Sequence, residues 1–170
     1  SSSKQFLWKF LLRLSYFSLF LIALLGPSFG EAKKEINKQV SKFPNSSILH
    51  NILGAILAEE NQLVLAIEQY EKSIKLKPNY AEAYNNLGNV LQDKGSLGKA
   101  VEAHRKSILL KPDYAEAYFN MGVALLHQDK IEEAIEAYKK SISLKPDYPE
   151  AHHNLSFILL RSGRFKEGLD

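Results

Sequence analysis

The chain of 170 residues contains no cysteine, one tryptophan and one methionine. Without cysteine it forms no disulfide bond and offers no thiolate to a metal ion. An excess of one charge is also missing from most of its length. The formal net charge is +3, and Lys4, Lys9 and Arg13 account for it because residues 31–170 hold 19 basic and 19 acidic residues. Since nucleic-acid binding needs a basic face against phosphates, we expect no nucleic-acid partner.

Motifs that carry catalysis are equally scarce. Gly95 to Lys99 shares letters with a phosphate-binding loop, but the full spacing is absent and Ala100 follows where Ser or Thr is required. His152 and His153 are adjacent, so on a helix they point about 100° apart and do not chelate one ion together. We therefore expect no enzyme activity in this segment, no cofactor and no metal site.

Four of the prolines divide the chain into regular units. Pro44, Pro78, Pro112 and Pro146 are each 34 residues apart, and residues 81–114 and 115–148 are identical at 18 of 34 positions. A repeat of this length is typical of a helical solenoid. The units predicted from this spacing are 1–30 as a basic and apolar N-terminal segment, 31–46 as the capping helix of a partial repeat, 47–80, 81–114 and 115–148 as repeats 1 to 3, and 149–170 as a truncated repeat 4.

Each unit predicts two helices. Apolar residues recur at spacings of three and four in each half unit, which is the pattern of an amphipathic helix, and small residues such as Gly88 and Ala100 allow two helices to cross closely. Gly95 and Gln128-Asp129 are predicted turns between paired helices. We expect helix N-caps with an acidic partner three residues later at Asn79, Asp113 and Asp147.

The repeated positions of the middle unit are Tyr84, Leu87, Gly88, Leu91, Ala100, His104 and Pro112. With these residues in register, the stretch from about residue 31 to 170 resembles the tetratricopeptide repeat (TPR) family of the bacterial type. The resemblance implies an all-α fold, a right-handed superhelical solenoid of antiparallel helix pairs. It also implies a protein or peptide partner. Within this pattern His50 and His104 occupy aromatic positions, so we expect both to pack in the core.

Asparagine recurs at the same repeat position in Asn86, Asn120 and Asn154. The series resembles the asparagine ladder in the repeats of O-linked N-acetylglucosamine transferase, which implies that these amides hold the backbone of an extended peptide. An amide suits this because it both donates and accepts hydrogen bonds. In the alternative interpretation the amides bond a neighbouring helix or water. The other residues predicted on this peptide-binding face are Asn85, Asn89, Phe119, Val123, His153 and Phe157. The first unit departs from the series, with Ile52 in register and Asn51 beside it.

These patterns favour a non-enzymatic scaffold that binds an extended segment in a concave groove. The alternative is the substrate-recruiting region of a longer glycosyltransferase or sulfotransferase with its catalytic domain beyond residue 170. Chaperone C-termini are disfavoured as ligands, because a carboxylate clamp needs Lys and Arg and this face offers mainly Arg161. We expect further protein after Asp170, because the helix begun at Phe165 is too short to cover the preceding one.

Residues 14–25 are uncharged and strongly apolar, and three positive charges precede them. This is the layout of an export signal or membrane anchor, although the stretch is shorter than the roughly 20 residues that span a bilayer. It predicts an exported or membrane-tethered protein, with membrane contact only through residues 1–30. Two alternatives stay open: a degenerate first helix that packs on a second helix at about 28–42, which suits a cytoplasmic protein, or an artefact of a fragment. The oligomeric state does not follow from the sequence.

Overall fold

The computed structural model describes residues 29–161, which form eight α-helices and no strand. The helices are α1 Phe29–Lys42, α2 Ser47–Glu59, α3 Leu63–Leu76, α4 Ala81–Asp93, α5 Leu97–Leu110, α6 Ala115–His127, α7 Ile131–Leu144 and α8 Pro149–Arg161. Helices α2 and α3, α4 and α5, and α6 and α7 form the most extensive contacts, and each pair packs on the next. The described chain is an all-α helical-repeat solenoid, as the 34-residue period predicted. Its right-handed sense and the repeat boundaries stay predictions.

Three residues connect the helices of each pair, and the middle one has a left-handed backbone. Asn61, Gly95 and Asp129 have φ values of 58°, 79° and 60°. Glycine adopts this region without a steric penalty, and asparagine and aspartate tolerate it better than most residues. The predicted turns at Gly95 and Asp129 are therefore confirmed, and Asn61 performs the same role.

The predicted N-caps at Asn79 and Asp113 are wrong. Helix α4 has Tyr80 at its N-cap and α6 has Tyr114, and neither makes a side-chain cap hydrogen bond. Each tyrosine ring instead carries a lysine: Nζ of Lys77 lies 4.4 Å from the ring centre of Tyr80, and Nζ of Lys111 lies 4.6 Å from that of Tyr114. An aromatic residue thus occupies the N-cap position, where the sequence suggested a carboxamide or carboxylate.

Each helix pair is held by the same two contacts. In the middle pair, Gly88 of α4 faces the ring of His104 on α5, and an added Cβ at Gly88 would lie 2.5 Å from that ring. Oγ of Ser107 then donates a 2.8 Å hydrogen bond to the backbone oxygen of Ala81. The equivalent contacts elsewhere are Gly54 with Tyr70, Gly122 with Tyr138, Ser73 with Ser47, and Ser141 with Ala115.

Apolar side chains form two core clusters along the solenoid. One joins α1 to the first pair through Ile36, Leu49 and Leu53, and the other joins the last helices through Leu125 and Leu159. Helix α1 confirms the helix predicted at about residues 28–42, and Lys33 on it forms an ion pair with Glu60 at the end of α2. Burial against the neighbouring unit therefore stabilises each pair, as expected of a repeat protein.

Two predictions lie outside the described residues. The signal or anchor assigned to residues 1–30 lies almost entirely before Phe29, and the short helix expected from Phe165 lies after Arg161. Among the helices of residues 29–161, none combines the length and the apolar character that a membrane crossing requires.

Candidate functional site

The predicted peptide-binding residues lie on α4, α6 and α8, the first helices of successive pairs, but they differ in accessibility. Asn85 and Asn86 are buried, with 4% and 2% of their surface exposed. His153 and Phe157 are exposed. The half-buried members are Asn89, Phe119, Asn120, Val123 and Asn154. The structure therefore places two of the predicted contacts inside the protein and seven at its surface.

Two of the repeated asparagines bond the preceding first helix. Nδ2 of Asn86 donates to Oδ1 of Asn51 at 3.1 Å, and Nδ2 of Asn120 donates to Oδ1 of Asn85 at 3.2 Å. Both pairs are 35 residues apart, one more than the repeat length. Each bond therefore links the same two positions of adjacent units, and it fixes the orientation of the donating amide.

The third asparagine has a different partner. Position 119, which lies 35 residues before Asn154, is a phenylalanine, and Nδ2 of Asn154 instead donates to the hydroxyl of Tyr138 at 3.4 Å. Burial raises the pKa of Tyr138 to about 12, and the bond from Asn154 partly opposes this rise. The ring of Phe119 lies 5.7 Å from that of Tyr138 and 5.0 Å from that of Tyr148. An aromatic cluster thus replaces the amide pair at this end.

His104 lies on α5 and confirms its predicted core position, since it has no exposed surface. Its Nδ1 lies 3.0 Å from Oδ1 of Asn85, which accepts hydrogen bonds from both His104 and Asn120. Burial lowers the pKa of His104 to about 4, so the ring is neutral at pH 7. His50, the other histidine predicted in the core, is also buried.

A small cavity beside Phe157 was not predicted from the sequence. It has a volume of about 140 Å³ and lies where the C-terminal ends of α6 and α8 meet the start of α7. Its lining residues are Leu126, Asp129, Ile131, Phe157, Ile158 and Arg161. They come from α6, α7, α8 and the turn between α6 and α7, and sequence spacing alone gives no sign that they meet. The cavity offers an apolar floor of the size of one aliphatic side chain.

The acidic side chains and the Lys and Arg side chains of residues 30–161 are all exposed or half-buried. Across residues 29–161, no three His, Asp or Glu side chains come close enough to hold a metal ion together. The ion pair of Arg105 with Glu133 at 3.1 Å is exposed. The chemistry available on the α4, α6 and α8 face is therefore hydrogen bonding by amides and contact with apolar side chains.

This combination of stacked helix pairs and an amide-lined face defines a helical-repeat scaffold for protein interactions. Family models described as TPR repeat match residues 54–95 and 88–129, and a model described as tetratricopeptide repeat matches residues 115–148. These matches span more than half of the chain, which belongs to the tetratricopeptide repeat family. Repeats of this fold are typically non-catalytic.

Solved structures give the same fold. A crystal structure of MamA has a TM-score of 0.76 and 28% identity, with 83% of this chain and 82% of that one covered. MamA from Desulfovibrio magneticus RS-1, residues 41 to the end, has a TM-score of 0.77 and 25% identity over 90% and 86% of the two chains. PilF of Pseudomonas aeruginosa has a TM-score of 0.75 at 22% identity over 84% and 69%. No curated protein sequence matches the chain.

Proposed function

We propose that this protein binds an extended segment of a partner protein along the face formed by α4, α6 and α8. The observation that carries the proposal is the regular row of amides at Asn86, Asn120 and Asn154, each held in one orientation by an internal hydrogen bond. An extended peptide presents N–H and C=O groups at regular intervals, so a row of fixed amides pairs with its backbone without reading its sequence.

The amides divide into two roles in this proposal. Asn85 and Asn86 are buried, so they hold the row in place behind the surface. Asn120 and Asn154 are half-buried and make the direct contacts with the ligand backbone, and Asn89, which is also half-buried, is a further contact outside the repeated series. Fixing an amide in advance lowers the entropy that is lost on binding, because the side chain has one rotamer before the ligand arrives.

Apolar side chains at the α6 and α8 end supply contact with ligand side chains. Phe119 and Val123 are half-buried, and Phe157 has 55% of its surface exposed beside the 140 Å³ cavity. An exposed aromatic residue next to an apolar hollow is a common anchor in binding surfaces. We therefore expect ligands to place an aliphatic side chain against Phe157, which His153 borders on the same helix.

A displayed library of random 12-residue peptides tests the proposal directly. Peptides that bind the full chain are synthesised, and their Kd is measured by fluorescence polarisation for the parent and for Asn120→Ala with Asn154→Ala. Loss of two hydrogen bonds at about 1 kcal/mol each weakens binding about 30-fold. Phe157→Ala weakens binding further by removing the apolar anchor.

Leu109→Ala is the matched control, because Leu109 is 71% exposed but lies on α5, outside the proposed face. Its Kd should equal that of the parent. Circular dichroism melting of each variant separates lost binding from lost folding. A library that gives no binder, or binders with the same Kd for every folded variant, refutes the proposal.

A further inference from the structure

His104 is a buried ionisable group that the proposed ligand contacts do not use. Its Nδ1 bonds Oδ1 of Asn85 on α4, and the same oxygen accepts Nδ2 of Asn120 on α6. One imidazole on α5 therefore lies at the end of a hydrogen-bonded chain that joins three helices. In the described part of the protein its other nitrogen, Nε2, is buried and has no hydrogen-bond partner.

His50 provides an internal comparison. Its Nδ1 lies 2.8 Å from Oε1 of Gln69, and its Nε2 lies 2.9 Å from the backbone oxygen of Pro44. A protonated imidazole donates from both nitrogens, so His50 has an acceptor for each proton without moving. His104 has an acceptor for one proton only, and a second proton would be a buried donor without a partner.

The surroundings of His104 prevent a small adjustment of the ring. An added Cβ on Gly88 would be 2.5 to 2.7 Å from three ring atoms, so the imidazole already lies against the backbone of α4. To reach water, Nε2 must leave the interface between α4 and α5. The corresponding rings in the neighbouring pairs are Tyr70 and Tyr138, which do not take up a proton in mild acid.

No buried charge compensates for an imidazolium at this place. Helices α4 and α6 are packed against α5. Apart from His104 itself, the charged and titratable side chains of these three helices are Glu82, Tyr84, Asp93, Lys99, Glu102, Arg105, Lys106, Glu116, Tyr118 and His127, and every one is exposed or half-buried. Helix α7 also contacts α5, and its titratable side chains are the exposed Glu132, Glu133, Glu136, Lys139 and Lys140 and the buried Tyr138, which stays uncharged in acid. Glu82 bonds Lys111 at 3.5 Å, and Arg105 pairs with Glu133. Burial is accordingly the cause that lowers the pKa of His104.

We propose that protonation of His104 makes the contact between α4 and α5 sensitive to acid. Proton uptake by its Nε2 separates α4 from α5, releases Asn85 and Asn120 from their shared bond, and loosens the middle repeat before its neighbours. The proposal concerns the free chain and does not depend on any ligand.

The direction of the pH effect follows from the two protonation states. The unfolded chain protonates this histidine near pH 6.5, whereas the folded chain keeps it neutral down to about pH 4. Between these values the unfolded state holds more protons, so stability falls as the pH falls. From this residue alone, the unfolding equilibrium constant rises about 30-fold between pH 7.5 and pH 5.

Urea unfolding of the full chain at pH 7.5 and pH 5 tests the proposal with two matched variants. His104→Tyr introduces the residue found in the adjacent pairs, and His50→Tyr introduces the residue found at positions 84 and 118. The unfolding equilibrium constant of the parent and of His50→Tyr should rise as the pH falls from 7.5 to 5. In His104→Tyr this rise should be smaller by a factor of about 30. Should His104→Tyr not fold, His104→Gln replaces it, because an amide donates to Asn85 and does not titrate.

Hydrogen exchange at pH 5 gives the location of the effect. Amides of α4, α5 and the start of α6 should exchange faster in the parent than in His104→Tyr, with α2 and α3 unchanged. Two results overturn the proposal. One is the same pH dependence for the parent and both folded His104 variants, and the other is acid-induced exchange that begins in α2 and α3.

Discussion

Replacement of Gly88 by alanine probes the closest contact within a helix pair. The new Cβ would lie 2.5 Å from Cε1 of His104 and 2.7 Å from each ring nitrogen. Side-chain carbons do not approach other atoms so closely, so either the ring or the helix must move. Because His104 has no exposed surface, the ring has no free space to enter. The substitution therefore forces α4 away from α5.

The size of the effect follows from three terms. Overpacking a buried contact costs about 1 to 3 kcal/mol. Movement of α4 away from α5 also breaks the hydrogen bond between Asn85 and His104, worth about 1 kcal/mol. Alanine is a better helix former than glycine by about 1 kcal/mol, which offsets the second term. We expect the unfolding free energy of Gly88→Ala to fall by about 1 to 3 kcal/mol.

Equilibrium urea unfolding measures this difference, and Gly98→Ala supplies the control. Gly98 is also helical, on α5, but an added Cβ there meets nothing within 4 Å. The unfolding free energy of Gly98→Ala should rise by up to about 1 kcal/mol from helix propensity alone. If Gly88→Ala were as stable as Gly98→Ala, close contact with His104 would not limit residue size at position 88, and the packing argument would fail.

Three further substitutions have defined outcomes. Ser107→Ala removes the buried hydrogen bond to the backbone oxygen of Ala81, so the unfolding free energy should fall by about 1 to 2 kcal/mol. Thermal unfolding measures this fall as a lower midpoint, and an unchanged midpoint would contradict the prediction. Gly95→Ala places a Cβ on a backbone with φ 79°, so urea unfolding should show an unfolding free energy lower by about 1 kcal/mol. A higher unfolding free energy would show that this backbone is not strained by a Cβ. Arg105→Ala breaks an exposed ion pair with Glu133, which solvent screens, so the unfolding free energy should change by less than about 1 kcal/mol. A larger loss in urea unfolding would contradict this screening.

The helix starts follow from the sequence only in part. Pro78 and Pro112 each lie three residues before the start of α4 or α6, because a proline ends the preceding helix and the next helix begins after a short turn. The capping residue was predicted one position too early. The sequence shows a suitable Asn79 or Asp113, but whether its side chain reaches a free backbone N–H depends on the path of the turn, which local sequence does not specify.

The candidate site shows the same division. The 34-residue period placed the repeated asparagines on equivalent helices, but it did not show which amides are covered. Asn86 is buried and Asn120 is half-buried although both occupy the same repeat position. Both amides bond the same position of the preceding unit, so that bond does not set their exposure, which depends on the other side chains packed around them. Period alone does not specify those neighbours.

The sequence by itself determined the repeat, the helix pairs and the turns, because these depend on local signals. The signals are the proline spacing, the three- and four-residue apolar periodicity, and the turn residue Gly95 with its equivalents Asn61 and Asp129. Tertiary structure alone decided the hydrogen-bonded chain from His104 through Asn85 to Asn120, the unpartnered Nε2, and the cavity beside Phe157. These features arise where adjacent pairs meet, and the distances between atoms on different helices follow from packing, which local sequence does not encode.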